Sequence, residues 1–445
     1  MSGPNLSDLD EFDVETDDFV HPFQAKERTY LHFDLPLPKR LRQSAHHLLD
    51  GKNHRFFPLL GFTDVKRRVT VERDGRVSVT EKPRPIRYAS HNDAAFLEAY
   101  SHQLGLKYEA ALVSRELNTS VLAYRPNIGS NVHHAKSLFD EIRALKDCTV
   151  VALDISGFFY SIDHEILKRE VCSLLRTGVL SGTDWNVFRN VTRYSWVDTG
   201  DIDLILGKSR NRPGRICSPD DFRDYVRSTK RGLIQRHSDN FGIPQGTPIS
   251  GLYANISMLS LDAELLQWAG RLGGSYRRYS DDIAIVLPGN AKPSDIEYSV
   301  GKILADFGLT LSEGKTDHSI FSNLVPDQGR PIQYLGFTFD GSNIFIRDSS
   351  IKAYQKKMEK GIRAKLTAAN RQGIPSSQVY RRELYSRYTH LGFRRSFPRY
   401  AYAASDILKA PEIRRQLRRH VEWFKRAWER QVEKVYGDLS SVESK

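Results

Sequence analysis

The chain has 445 residues, 40% hydrophobic and 27% charged, with a formal net charge of +12 and a pI of about 9.4. That length exceeds one ordinary domain and can bury a large core. No stretch approaches the ~20 apolar residues of a membrane span, and an acidic start is unlike a signal peptide.

Three scattered cysteines, Cys148, Cys172 and Cys217, fit neither a disulfide framework nor a zinc site and predict a reducing, cytoplasmic setting. The positive charge is uneven. Residues 351–445 hold 23 Lys+Arg against 9 Asp+Glu, a net of +14, and the remainder of the chain is at −2. Such a one-sided field predicts polyphosphate contact and salt-dependent binding.

Taken in chain order, the first segment is acidic: Asp8, Asp10, Glu11, Asp13, Glu15, Asp17 and Asp18 lie within 20 residues. Two readings stay open, a solvated arm or a segment docked on the basic C-terminal part. Val69 to Thr80 reads as a hairpin turning at Asp74-Gly75. Asp93 to Leu106 reads as helix. Thr149 to Leu153 is short, apolar and β-rich and ends in Asp154, which predicts a buried strand delivering one acid at its end. A buried Asp is rare unless paired or metal-bound. The plainer alternative is that Asp154 caps a helix starting near Ser161 or Asp163. Phe241 to Ser250 is a Gly/Pro-punctuated turn, followed by an apolar helical stretch through Leu252, Ala254, Ile256, Met258, Leu259 and Leu261.

Tyr279-Ser280-Asp281-Asp282 follows. It lies between the polar-aromatic run Ser275–Arg278 and the apolar run Ile283–Leu287, a strand–turn–strand pattern with acids at the tip. Asp favours turns. Two anions ~4 Å apart at an effective dielectric of ~20 repel by roughly 4 kcal/mol, and a hard divalent cation such as magnesium relieves that. A solvated surface turn is the competing reading for the pair alone. A strand-end acid added to a hairpin-tip acid is what a two-metal phosphoryl-transfer site needs, with ions ~3.5–4 Å apart.

In the basic tail, Ile351, Tyr354, Met358, Ile362 and Leu366 form a helical stripe ended by Gly373 and Pro375. A second helix is expected from Pro411, with Ile413, Leu417, Val421, Phe424, Trp428 and Val432 inward and Arg414, Arg415, Arg418, Arg419, Lys425 and Arg426 outward. Between them Arg381, Arg382, Arg387, Arg394, Arg395 and Arg399 interleave with Tyr385, Tyr388, Phe393, Phe397 and Tyr400, a mixture suited to stacking on unpaired bases and to phosphate contact.

The ordered set of motifs resembles the palm of reverse transcriptases. LDISGFF, from Leu153, is similar to their motif A. GIPQGTPIS, from Gly242, is similar to motif B, and YSDD to motif C. GLTLSEGKT (Gly308 to Thr316) and QYLGFTF (Gln333 to Phe339) resemble motifs D and E. KPRPIRYAS (Lys82 to Ser90) and AYRPNIG (Ala123 to Gly129) resemble the fingers motifs. The resemblance covers roughly residues 80–340.

It implies roles. Asp154 and Asp281 would hold two magnesium ions, with manganese as a substitute. Asp282 would be an accessory acid and the Ile155 carbonyl a further ligand. Phe159 would be a steric gate against a ribose 2′-OH, unless it is a core aromatic. Lys82, Arg84, Gln245 and Gly246 would contact the incoming nucleotide, Gly246 by close backbone approach. Lys315 would protonate pyrophosphate, unless it is a solvated surface lysine. Tyr334, Leu335 and Gly336 would form the primer grip. Arg125, Arg381, Arg382, Arg394, Arg395, Arg414 and Arg418 would bind nucleic acid. Gly157 stands where retroviral enzymes carry an acid.

The implied fold is α+β, a right hand with mixed fingers, an antiparallel palm and an all-helical basic thumb. The expected divisions are an acidic arm (1–28), fingers (29–148), a palm (149–345) with an insertion at about 183–240 that touches template or a partner, and a thumb (346–445). The implied activity is RNA-directed DNA polymerisation from dNTPs and a primer. The run SPDDFRDYV (Ser218 to Val226) and the long fingers resemble bacterial "unknown group" and retron enzymes. That implies a structured non-coding RNA as template and a role in antiphage defence. A homo-oligomer or an accessory protein is also open, and no membrane partner is expected. Two rivals remain: a template-independent or protein-primed polymerase on the same site, and a non-catalytic RNA-binding scaffold or maturase.

Overall fold

The computed structural model describes residues 23–50, 54–71, 76–207, 214–228, 232–391 and 396–437. The hairpin tip at Asp74-Gly75, the acidic residues 8–18, and Phe393, Arg394 and Arg395 lie outside the described residues. Among the described residues no helix is long and apolar enough to cross a membrane.

A long antiparallel hairpin opens the fold, β1 (Leu59–Val71) against β2 (Val77–Tyr88). β3 (Cys148–Asp154) is the centre of a second sheet. Its apolar run is buried on both faces. Val151 and Leu153 join the main core with the helices His91–Ser114, Ser250–Ser257 and Leu259–Arg271, and Cys148 and Val150 join a second core behind the sheet. Alternating side chains thus supply two cores from one strand.

Parts of the segment 183–240 pack into the rest of the fold. Val187, Phe188 and Val191 of the helix Gly182–Thr192 belong to the main core. β4 (Ser195–Asp198) runs parallel to β1, and β5 (Gln235–Arg236) pairs with β4. The first sheet therefore runs β2-β1-β4-β5, and Arg87 of β2 lies over the Trp196 ring at 5.0 Å. The polar mix of this stretch hid a small satellite core, formed by Val197, Ile202, Ile216, Cys217 and Val226 against Leu60 and Phe33.

β6 (Ser275–Tyr279) and β7 (Asp282–Pro288) make the acid-tipped hairpin. β8 (Asp317–Ser322) and β9 (Val325–Pro326) complete the central sheet in the order β6-β7-β3-β8-β9, antiparallel throughout. β10 (Ile332–Tyr334), β11 (Phe337–Phe339) and β12 (Ile344–Ile346) form a third, antiparallel sheet. The class is α+β, as expected.

The C-terminal region is helical after β12, but it is not one body with two long helices. The helix Asp348–Arg371 buries Tyr354, Met358, Ile362 and Leu366, the stripe read from sequence. The helix anticipated from Pro411 breaks at Arg418-Arg419 into Pro411–Leu417 and His420–Tyr436. The two pieces serve different cores. Ile413 and Leu417, with Ala401, Ala404 and Leu408, pack behind the central sheet beside the helix Asn131–Leu145. Phe424 and Trp428 pack on the helix Asp348–Arg371. One amphipathic stripe cannot face both, so the helix must break.

At the other end, residues 23–28 are attached rather than free. Ala25 is buried, and Arg28 pairs with Glu98 at 2.6 Å.

Two buried histidines predict acid sensitivity. His32 is fully buried and desolvation pushes it down to about 3. His134 is pushed down to about 4, by desolvation first and then by His133, Arg125 and Arg277. Both fold as the neutral form, so between the unfolded value of ~6.5 and these folded values the unfolded chain binds more protons. Their contribution is complete above ~6.5 and is lost as pH falls towards 3–4. The urea midpoint should therefore drop between pH 7.5 and pH 5.5, and a His32→Gln/His134→Gln variant should lose part of that slope. Asp282, pushed up to about 7, works against this slope over the same range, so the test is the difference: a double variant whose midpoint falls as steeply as that of the wild type would contradict the assignment.

Candidate active site

The acids come together because of strand register. In the β3–β7 ladder Asp154 lies directly opposite Asp282. Like charges in that position destabilise a sheet. Asp281 sits in the two-residue turn, and its carbonyl accepts a hydrogen bond from the Ile155 amide at 2.9 Å. Ser280 turns the chain with φ +60°, a conformation that favours glycine and that a small side chain tolerates. Asp163, not Asp154, caps the following helix, accepting from Glu165 and Ile166.

The hairpin rests on an arginine that sequence reading passed over. Arg278 is fully buried and binds Asp262 through a two-pronged fork, Nε to Oδ1 and Nη2 to Oδ2, both at 2.7 Å. Its Nη1 donates to the Ser280 carbonyl at 3.1 Å and to Asn255 at 3.2 Å. The Tyr276 hydroxyl donates to Asp262 at 2.5 Å. The available signal was the strand period, which puts Tyr276 and Arg278 on one face.

Cations meet the acids from two directions. Lys315 pairs with Asp154, and the Ser312 hydroxyl donates to the same carboxyl oxygen at 2.5 Å. Lys82 and Arg84, on β2, reach the same place. The Lys82 ammonium is pulled below its ordinary value by burial, then by Lys315 and Arg84, with Asp154 opposing. Burial and Asp154 push the Asp281 carboxyl up. Asp282 is pushed up to about 7, by desolvation first and then by Asp281 and Asp154, with Arg347 and Lys315 opposing. The carboxyls resist ionising together.

Among the described residues no group of three His, Cys, Asp or Glu side chains is arranged to hold a metal ion. The donor set still suits a hard cation. It is all oxygen, it is crowded with negative charge, and the Lys315 ammonium supplies one positive charge on Asp154.

The remaining expected residues are placed as follows. Phe158 is buried and Phe159 half-buried, and the two rings meet edge-on at 5.6 Å between centroids, with Phe159 also packed on the main core. Gly157 has φ +56°, which gives a backbone reason for glycine where an acid was looked for. The Gln245 carbonyl accepts from the Arg87 amide at 2.8 Å, joining the Phe241–Ser250 turn to β2. Gly246 allows close approach, but to β2: a Cβ there would lie 2.8 Å from the Arg87 carbonyl, at φ +119°. Gly246→Ala is therefore expected to cost about 1–3 kcal/mol of stability, the usual size of such strain, and to loosen β2. A urea titration checks this, and an unchanged midpoint would refute it.

Tyr334, Leu335 and Gly336 form the β10–β11 turn, with φ +45° and +89° at the last two. Tyr334 is buried with its hydroxyl unpaired, so Leu335 and Gly336 are the turn's more accessible part. A cavity of about 560 Å³ runs from Asp154 and Asp282 past this turn to Arg347 and Tyr400.

Several basic and aromatic residues are otherwise engaged. Arg125 turns inward, forked onto Glu109 at 2.6–3.1 Å with its side chain 4% exposed. Arg414 pairs with Asp406 at 2.8 Å and lies over Tyr402. Arg381 stacks on Trp428 at 4.3 Å. Arg382 and Arg418 are exposed. Tyr385 packs on Phe424, Phe397 stacks on Tyr354, Tyr388 is buried, and the Tyr400 hydroxyl accepts from Asn131. These rings take part in packing, and Phe397 and Tyr400 also line the cavity beside the acids.

Residues 212–339 match the family model described as reverse transcriptase (RNA-dependent DNA polymerase). The chain thus carries a reverse transcriptase domain. The matched span holds the Phe241–Ser250 turn, Asp281, Asp282, Lys315 and the β10–β11 turn, but not Asp154, Lys82 or Arg84. None of the curated proteins matches the chain. Among solved structures it is similar to apo telomerase from Candida tropicalis, with 12% identity over 86% of this chain and 63% of that one, TM-score 0.41. A form of that protein truncated from its C-terminal domain gives 11% identity, 64% and 55% coverage and TM-score 0.38. Telomerase from Candida albicans in complex with a fragment of telomeric RNA gives 14% identity, 92% and 71% coverage and TM-score 0.40. The chain spans 55% and 63% of the length of the two Candida tropicalis chains.

Proposed function

We propose that the protein is an RNA-directed DNA polymerase that extends a primer 3′-hydroxyl with deoxynucleotides. One observation carries the reading: Asp154, Asp281 and Asp282 meet Lys82, Arg84 and Lys315 in one cleft, although Lys82 and Lys315 are far apart in the chain. Two divalent ions, magnesium in the simplest case, would be held by Asp154 and Asp281 with Asp282 beside them. Bound there, they would activate the attacking oxygen and stabilise the leaving one. The chain's own residues do the positioning. Lys82 and Arg84 neutralise triphosphate oxygens, Arg84 through its fork. Lys315, released from Asp154, would give a proton to pyrophosphate. The β10–β11 turn holds the primer end. Positioning and charge neutralisation of this kind account for most of phosphoryl-transfer catalysis.

The net charge of +14 on residues 351–445 supports a structured RNA as template, gripped by the exposed arginines of the C-terminal helices. The motif resemblance to defence-associated bacterial enzymes supports a dedicated non-coding RNA, an antiphage role and a cytosolic location.

The test is sequencing of RNA and DNA that co-purify with the wild type and with an Asp281→Ala/Asp282→Ala variant. One RNA should be enriched in both, with complementary DNA only in the wild type. DNA of untemplated sequence, or DNA attached to protein, would replace this reading with template-independent or protein-primed synthesis. Equal complementary DNA in both samples would remove the acids from the mechanism.

A further inference from the structure

We propose that Tyr124 is a positioning residue that sets sugar selectivity by bracing Phe159. This rests on the polymerase reading above.

Tyr124 belongs to a segment laid along β6. The Leu122 amide donates to the Arg278 carbonyl at 2.8 Å and the Arg278 amide donates to the Ser120 carbonyl at 2.7 Å. Asn255 donates to the Ala123 carbonyl at 2.7 Å, and Arg125 on the other side is held by Glu109. Between these anchors Tyr124 adopts φ +57°. A bulky side chain rarely takes that backbone conformation unless its surroundings impose it.

The side chain does not fill a core. Tyr124 is 52% exposed. Its ring nevertheless touches three separate parts of the site. It lies against Gly251, where a Cβ would come within 2.7 Å of the ring, so only glycine admits it. Its hydroxyl shares a hydrogen bond with Ser280 at 3.0 Å, at the turn that presents Asp281. Its face meets Phe159 nearly edge-on, at 6.3 Å between centroids and 74° between planes. Phe158 flanks Phe159 from the core side at 5.6 Å. Phe159 therefore touches two rings, one buried and one at the cleft. A ring that is to reject a ribose 2′-hydroxyl must not swing away, and Tyr124 is what stops it.

Ring and hydroxyl should separate experimentally. The full-length chain would copy poly(rC) primed with oligo(dG), with kcat and KM measured for dGTP and for GTP. Tyr124→Asn removes the ring and tolerates left-handed backbone; Tyr124→Gly serves the same purpose if the first variant does not purify. Either should lower the dGTP:GTP ratio of kcat/KM by roughly three- to tenfold, the worth of an edge-to-face aromatic pair. In a Phe159→Ala background the same change should add no further loss. Tyr124→Phe should keep the ratio and lower kcat for both nucleotides by about two- to tenfold, for the lost hydrogen bond to Ser280. An unchanged ratio in a folded Tyr124→Asn variant overturns the proposal, as does a full additional loss in the Phe159→Ala background. A wild type that copies no template would sink the polymerase reading itself, and this proposal with it. An active wild type with an unchanged variant ratio sinks this proposal alone.

Discussion

Asp154→Asn is expected to lower primer extension by at least about a thousandfold, some 4 kcal/mol of barrier, while leaving the folded protein as stable as before or more so. The two halves of this result have one cause. Asp154 faces Asp282 across the β3–β7 ladder; desolvation within the acid cluster, then repulsion from Asp281 and Asp154, push the Asp282 carboxyl up to about 7, although the residue itself is exposed at the cleft. Replacing Asp154 with its neutral isostere keeps the Ser312 contact and removes the repulsion. It also removes the proposed cation ligand and leaves Lys315 without its carboxylate. Polymerase assays in magnesium paired with urea titration check this. A clear loss of stability would mean that the acid set is structural. Near-normal extension would mean that the chemistry lies elsewhere.

Arg278→Met should cost about 3–5 kcal/mol of stability, because it leaves the Asp262 charge buried without its partner. Both side chains are fully buried and joined by the two-pronged fork. Removing both charges with Arg278→Met/Asp262→Leu should recover much of the loss, since a buried ion pair also bears the cost of desolvating both ions. Activity should not recover with it. The Ser280 carbonyl loses the hydrogen bond from Arg278 Nη1, and the turn that presents Asp281 slackens. Urea midpoints for the two single variants and the double variant give the coupling directly. A double variant as unstable as the sum of the singles would show that the two residues act independently. Full activity in the double variant would show that the hairpin holds its shape without them.

Local features were legible in the sequence because their signals are local. The apolar run before Asp154, the turn at Ser280-Asp281 and the buried stripe of the helix Asp348–Arg371 each follow from periodicity or turn chemistry within a few residues. The helix expected at Asp93–Leu106 extends over His91–Ser114, since caps and core contacts, not the stripe alone, set its ends. Lys82, Arg84, Asp154, Asp281 and Lys315 were all named from motifs, yet no motif states that they share a cleft.

What the sequence by itself determined was the inventory: an acid at a strand end, two acids on a hairpin, a glycine-rich turn, a basic helical tail. Only the tertiary structure decided which charges are free. Arg125 and Glu109, and Arg278 and Asp262, are pairs set by packing, and each turns an arginine inward, away from the pool that composition offers to nucleic acid. Packing likewise drew Ser195–Asp198 and Gln235–Arg236 into the first sheet and split the helix at Arg418-Arg419 between two cores. The reason is physical. Propensity and turn chemistry act between neighbours in the chain. Burial and charge pairing act between neighbours in space, and those are known only once the chain has folded.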